Sequence, residues 1–383
     1  MIGVININYV NGKKIAFLLE SLNLGGIGRL TLLLAEEIAD RGYQVDLVLL
    51  KKQGQYLKQV PSNVRIVDLK AKKLLLSSHL IGSYLKREKP AVLISANERV
   101  NIMALLAKKL FRVKPKLIIS VHVNNSEAMV RQGTSIYKKL VILVARRIYR
   151  WADKVVAVSK GVAGDVEKLF LVSRDKIDVI YNPVISKDID KKANEAVDHP
   201  WLNQDRFPVV LGVGRLIRQK DFSTLIKSFY EIKKYIADAK LIILGEGEER
   251  LKLEREINEL ELNDEVDLPG YVENPYSYMK KSEVFVLSSA WEGFGNVLVE
   301  AMAVGTPIVS TNCPSGPAEI LEGGKYGPLV EVGDTKELAA AIINVLKDPS
   351  EPGILIRRAQ EFSVDKAVTS YLKIFKVFQE EKA

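Results

Sequence analysis

Short runs of apolar residues recur along the whole chain, separated by stretches in which apolar positions return every three or four residues. The runs at 14–20, 45–50, 64–68, 91–95, 116–123, 154–159 and 177–181 are too short for helices and too continuous for half-exposed strands. Between them lie segments of helical period, among them 29–41, 101–111 and 136–151. Strands buried on both faces and alternating with helices predict a parallel sheet covered on both sides. A second series of the same kind follows, with strands at 208–213, 240–244, 266–268, 284–287 and 307–310 and helices at 223–237, 250–260 and 296–304. Between the two series the pattern lapses into a charged stretch containing Ser186 to Lys192 and His199-Pro200-Trp201, which has linker composition. The expected organisation is a first domain over 1–185, a linker over 186–206, a second domain over 207–363 and a closing helix over 364–383. Residues 1–10 alternate Ile and Val with Asn and Gly and receive no role.

Composition narrows the class without changing this outline. At 383 residues, 47% apolar and 27% charged, the chain suits two globular domains. A single cysteine, Cys313, excludes an intrachain disulfide framework and a cysteine-built zinc site, and three histidines leave little for a histidine site. Asp188-Ile189-Asp190 has a spacing that can hold a divalent cation, but no strand precedes it, so no metal is expected. The N-terminus lacks the pattern of a signal peptide, and no apolar run is long enough to span a bilayer, so a cytoplasmic location is expected.

Charge is distributed unevenly. Residues 1–180 hold 31 Lys and Arg against 14 Asp and Glu, whereas the remainder holds 25 against 33. Within 51–150 only Asp68, Glu88, Glu98 and Glu127 are acidic, so the first half should present a positive field to phosphates of nucleic acid, anionic lipid or a pyrophosphate-linked substrate. The helix over 136–151 joins Lys138, Lys139, Arg146 and Arg147 to aliphatic residues. It can either pack its apolar stripe on the sheet or lie in a membrane interface.

The candidate chemistry gathers at strand ends, where ligands of parallel sheets bind. Gly25 and Gly26 follow the first strand and precede a helix, as backbone set against a diphosphate would. His122 ends the 116–123 run and is the first-half candidate for proton chemistry. In the second half, Arg215 and Lys220 follow one strand, Gly245-Glu246-Gly247 another and Gly270-Tyr271-Val272 a third. The stretch Trp291-Glu292-Gly293-Phe294-Gly295-Asn296 then opens a helix that reaches Glu300. Two carboxylates eight residues apart span up to ~12 Å at helical rise, the size of a nucleotide, and the helix N-terminus between them suits a phosphate.

With Gly214-Arg215-Leu216 and Lys220, Gly245-Glu246-Gly247, Glu292 to Glu300 and Ala301-Met302-Ala303-Val304-Gly305-Thr306-Pro307 in this order, the chain resembles the retaining glycosyltransferases of family 4. The resemblance implies the GT-B fold, an α/β architecture of two Rossmann-like domains facing a central cleft. It implies Arg215 and Lys220 on the donor diphosphate, Glu300 on the ribose, Glu246 and Val272 by the base, and Gly293, Phe294, Gly295 and Asn296 near phosphate and sugar. Glu292 would lie by the transferred sugar, His122 by the reacting centre, and Gly25 and Gly26 beneath the phosphates. The implied activity is transfer of a hexose or N-acetylhexosamine from a nucleoside-diphosphate sugar, UDP foremost, to a lipid-linked or polysaccharide acceptor at an anionic membrane surface, with no metal. A nucleotide-sugar epimerase or hydrolase would share the donor site without the acceptor. A nucleic-acid-binding protein would use the basic half, but its aromatic residues are not interleaved with the charge.

Overall fold

The computed structural model describes residues 13–23, 25–132, 135–203 and 207–380. The alternating segment 1–10 lies outside them. The apolar runs of the first half become β1 (Lys14–Leu19), β2 (Gln44–Leu49), β3 (Val64–Asp68), β4 (Val92–Ala96), β5 (Lys116–Val121), β6 (Lys154–Ala157) and β7 (Ile177–Val179), all parallel, in the order β3-β2-β1-β4-β5-β6-β7. Those of the second half become β8 (Val209–Val213), β9 (Lys240–Leu244), β10 (Val266–Gly270), β11 (Val284–Leu287), β12 (Ile308–Thr311) and β13 (Leu329–Val330), in the order β10-β9-β8-β11-β12-β13. Both sheets are of the doubly wound, Rossmann type. Each reverses its direction of growth once, between β1 and β4 and between β8 and β11. Those reversals open crevices at the carboxyl ends of the strands, where ligands bind in such sheets. The edge strand β10 carries Pro269 and its register shifts between Asp267 and Gly270, as a residue without an N–H requires.

Two differences from the expected elements bear on the cleft. The first helix is Gly26–Asp40, so it begins at the second glycine and takes Gly26 and Gly28 into its first turn. A Cβ at Gly28 would stand 3.4 Å from the Tyr56 ring and from the Asn23 carbonyl, so this first turn packs against both. The charged stretch after β7 is not a slack connection: it forms the helix Ile189–Ala193 and buries Ile189, Ala193, Val197 and Leu202. His199 Nε2 lies 3.0 Å from Asp267 Oδ2, which ties the stretch to the second sheet. Asp188 is paired with Lys192 at 2.6 Å.

The closing helix Val364–Glu380 lies on the first sheet. Val368, Tyr371, Phe375 and Phe378 are buried in one cluster with Ile15, Phe17, Leu47 and Ile94, and Arg41 reaches Asp365 at 2.6 Å. The largest core cluster runs through both halves of the molecule, and at the junction Tyr181, Phe294 and Phe362 form a trio of rings with every centroid separation at 5.4 Å.

Candidate active site

The loop from β11 to the helix Asn296–Ala303 carries Glu292 on its way to the N-terminus that Gly295 opens, and Gly295 has a φ of 99° that suits glycine. Glu292 is buried, and its carboxylate is gathered from three sides. Lys220 Nζ lies 2.5 Å from Oε1, the Ser289 hydroxyl donates to the same oxygen at 2.7 Å, and Gln219 reaches Oε2 at 3.5 Å. Lys220 itself is held in the β8 loop, where its carbonyl accepts from Ser288 Oγ at 2.8 Å. Arg215, five residues earlier, is exposed and has no ion pair among the described residues. The two cations therefore differ: one is stored on a buried carboxylate and the other stands free at the same strand end.

The expected convergence of three loops takes the form of backbone packing. Gly214 N–H donates to Leu244, Gly245 N–H to Gly270, and Leu216 N–H to Glu246, at 2.8 to 2.9 Å. A Cβ on Gly245 would stand 1.8 Å from the Gly214 carbonyl, so only glycine permits this approach. Glu246 pairs with Arg250 at 2.7 Å beside Gly270, and Val272 is partly buried at the same rim.

Across the cleft, the first domain brings its own glycine loop to this helix. A Cβ on Gly26 would lie 3.5 Å from the Asn296 amide nitrogen, so the two helix N-termini meet. Asn296 also accepts from Asn182 Nδ2 at 2.8 Å. Glu300, buried, accepts from Arg29 Nη1 at 2.7 Å and from the Tyr276 hydroxyl at 3.3 Å. A Cβ on Gly293 would stand 1.9 Å from the His122 carbonyl, and the Gly293 carbonyl accepts from Ser159 Oγ at 2.8 Å. Glu319 takes the N–H groups of Lys160 and Gly161 at 2.8 and 3.0 Å, the first turn of the helix Lys160–Phe170.

His122 stands at the end of β5, partly buried, against a cavity of about 20 Å³ that Thr31, Ser95, Ser120, Asn182 and Tyr371 also line. Burial lowers its pKa to about 4, so the ring is neutral at physiological pH and can accept or donate one hydrogen bond without charge. Phe294 is a different matter from its neighbours. Its ring is 2% exposed in the aromatic trio of the junction, between buried Gly293 and Gly295, and of this stretch Asn296 keeps partial exposure.

Sequence reasoning did not find Arg29, Tyr276, Ser159, Asn182 and Glu319. Arg29 could have been suspected from its place one turn after Gly25, where a cation beside a phosphate loop has meaning. The others carry no local signal, since each acts on a partner more than 20 residues away.

The basic helix of the first half, Ile136–Ile148, divides its apolar residues between two faces. Ile142, Ala145 and Ile148 are buried, while Ile136, Tyr137, Leu140, Leu143 and Val144 are exposed, Ile136 by 79%, with Lys139, Arg146 and Arg147 exposed beside them. Packing on the sheet thus accounts for one narrow stripe only. Among the described residues no helix is long and apolar enough to cross a membrane.

A family model described as Glycosyltransferase Family 4 matches residues 24–187, and one described as Glycosyl transferases group 1 matches residues 194–362. The chain is 34% identical over 251 residues to the N-acetylgalactosamine-N,N'-diacetylbacillosaminyl-diphospho-undecaprenol 4-alpha-N-acetylgalactosaminyltransferase of Campylobacter jejuni, a match covering 65% of each. It is 28% identical over 337 residues to the amylovoran biosynthesis glycosyltransferase AmsD of Erwinia amylovora, covering 87% of this chain and 90% of that one. In fold it is similar to Anabaena HepE in complex with UDP, with a TM-score of 0.75 at 21% identity over 95% of this chain and 100% of that one.

Proposed function

The chain is a family-4-type glycosyltransferase of GT-B fold, and from that premise we propose that it transfers a hexose or N-acetylhexosamine from a UDP-sugar to a lipid-linked glycan, retaining the anomeric configuration. The observation that carries this reading is the exposed aliphatic row of Ile136, Leu140, Leu143 and Val144 set among Lys139, Arg146 and Arg147 on the acceptor-side domain. A soluble neutral acceptor gives no reason for such a face. An anionic membrane gains about 1 kcal/mol for each juxtaposed cation, with further gain from apolar burial in the headgroup region. The Campylobacter relative, by its name, acts on a diphospho-undecaprenol acceptor.

The chemistry follows from the cleft. Breaking the sugar–phosphate bond puts charge on the departing diphosphate, and Arg215, Lys220 and the N-termini of the helices Gly26–Asp40 and Asn296–Ala303 supply positive potential there. Fixed charges of this kind do what a divalent metal does elsewhere, so the reaction runs without one. Glu292, held by Lys220 and Ser289, positions the transferred sugar and steadies its growing positive charge. The leaving phosphate oxygen takes the acceptor's proton on the same face, which retains configuration. Neutral His122 hydrogen-bonds the donor sugar beside its carbonyl contact with Gly293.

The test joins donor and acceptor. Purified protein is incubated, in excess EDTA, with a panel of UDP-hexoses and UDP-N-acetylhexosamines and with either a polyprenyl-diphosphate sugar in anionic vesicles or the free sugar. An α-linked product on the lipid-linked acceptor, lost when Lys138, Lys139, Arg146 and Arg147 are neutralised together, supports the reading. Equal turnover of the free sugar with no vesicle binding at low salt refutes the membrane assignment. Free sugar or an isomer as sole product favours a hydrolase or epimerase, and rescue by magnesium or manganese ends metal independence.

A further inference from the structure

Glu300 is the buried carboxylate that the family resemblance gives to the donor ribose, and a side chain from the other domain holds it. Arg29 lies in the first turn of the helix Gly26–Asp40 and reaches 271 residues along the sequence. Its Nη1 donates to Glu300 Oε1 at 2.7 Å, its Nη2 to the Tyr276 hydroxyl, and its guanidinium stands 5.5 Å from the centroid of the Tyr276 ring. Burial alone would lower the Arg29 pKa, but the charges and hydrogen bonds of Glu300 and Tyr276 outweigh it and raise it. The pair is asymmetric: the Arg29 side chain keeps 32% of its exposure and Glu300 only 8%. Arg29 can turn toward the cleft. Glu300 cannot leave, and a buried carboxylate needs some donor at all times.

We propose that Arg29 is the partner Glu300 exchanges for the donor, and that the exchange selects an intact nucleotide over its nucleoside. The proposal rests on the reading of Glu300 as the ribose acceptor. While the cleft is empty, Arg29 satisfies Glu300 and bridges the two domains. When the donor binds, the ribose 2'- and 3'-hydroxyls donate to Glu300 in its place. The released guanidinium is one turn from Gly25 and Gly26, of which Gly26 faces Asn296 at the opposing helix N-terminus, so the charge nearest to it is then the diphosphate. A nucleoside must displace Arg29 and gives it nothing in return. A nucleoside diphosphate displaces it and supplies a new partner. Arg29 thus acts as a positioning residue that opposes binding of the bare nucleoside and supports binding of the diphosphate.

The two ligand classes should therefore respond with opposite sign. Calorimetric titration of UDP, uridine and 2',3'-dideoxyuridine is made on the full chain and on Arg29→Ala, Arg29→Lys, Glu300→Gln and Arg29→Ala/Glu300→Gln. Guanosine and adenosine series are run alongside, and whichever base binds is used. Arg29→Ala should bind uridine about tenfold more tightly, or about 1.4 kcal/mol, and UDP several-fold more weakly. Arg29→Lys, which keeps the charge, should retain most of the UDP affinity. Glu300→Gln should weaken uridine but not dideoxyuridine, and in the double variant the gain from Arg29→Ala should vanish. If Glu300→Gln weakens uridine and spares dideoxyuridine while Arg29→Ala leaves uridine unchanged or weaker, the exchange is wrong and the ribose reading stands. If Glu300→Gln changes the uridine and dideoxyuridine affinities by the same factor, so that the wild-type preference for uridine persists, the ribose reading itself fails.

Discussion

Lys220→Met tests how the donor cation is stored. Its ammonium stands 2.5 Å from Glu292 with side-chain exposures of 14% and 8%, so the substitution leaves a buried carboxylate without its counter-ion. Breaking one side of a buried pair costs about 3–5 kcal/mol. The Ser289 hydroxyl at 2.7 Å remains and recovers roughly 1 kcal/mol of that. A net loss of about 2–4 kcal/mol in a domain of this size lowers the thermal midpoint by roughly 4–16 °C. Lys220→Met/Glu292→Gln removes both charges and keeps a polar group for Ser289, so it should melt above the single variant. The interaction energy from the double-mutant cycle should exceed about 1 kcal/mol. Calorimetry reads the stability, and UDP and uridine titrations read the function. Both variants should lose UDP affinity far more than uridine affinity, because the proposed function sets the lost cation against phosphate. A Lys220→Met protein that melts with the wild type refutes the buried pair. One that melts early yet binds UDP normally removes Lys220 from the diphosphate.

Gly293→Ala places a Cβ 1.9 Å from the His122 carbonyl and must push the domains apart; turnover should fall at least tenfold while UDP affinity stays within about threefold, and normal turnover would disprove the close approach. Burial depresses the folded pKa of His122 from 6.5 to about 4, so between those values the unfolded chain takes a proton that the folded chain refuses. Its contribution to stability is full above pH 6.5 and is lost as pH falls toward 4, so urea unfolding of His122→Gln should depend less steeply on pH over that window. Glu319→Ala removes the acceptor of the Lys160 and Gly161 N–H groups; these two amides should exchange hydrogen faster, at a cost of about 1 kcal/mol, and unchanged exchange would refute that cap.

The sheets were legible because parallel strands buried on both faces leave short apolar runs, and β9 and β11 coincide with theirs residue for residue. The two-residue β13 offers too little pattern to detect, and the helix Thr335–Lys347 lies beyond the last run that was read. Glycine misled at the start of the first helix. The helical period is visible only from Arg29, whereas the helix takes in Gly26 and Gly28, residues of low helix propensity, in its first turn. The site residues of the second domain stood out because they are grouped at successive strand ends. What joins the domains did not, because Arg29, Ser159 and Asn182 each bond a partner more than 100 residues away, and no local period encodes such a distance. Phe294 shows the limit from the other side: the family resemblance places it near phosphate and sugar, while its ring turns to Tyr181 and Phe362.

The junction also bears on how accurately donor and acceptor can be held. Where the domains touch beside the cleft, the contact is backbone on backbone at Gly293 and His122, and backbone on a short side chain at Gly161 and Ser315, where a Cβ would come within 2.4 Å of the hydroxyl. The Gly293 contact has no rotamer to relax, and behind the Ser315 hydroxyl the Ser315 Cα lies 2.9 Å from the same Cβ position, so both act as stops that set the domain spacing. The hydrogen bonds at Glu300, Glu319 and Asn296 then draw the halves against those stops. Same-face transfer needs the acceptor oxygen, the anomeric carbon and the leaving phosphate oxygen within about 3–3.5 Å of one another, and a misplacement of about 1 Å costs on the order of a hundredfold in rate. On the proposed same-face transfer, glycine at 293 and 161 therefore serves the catalytic geometry, although neither residue has a side chain to take part in the chemistry.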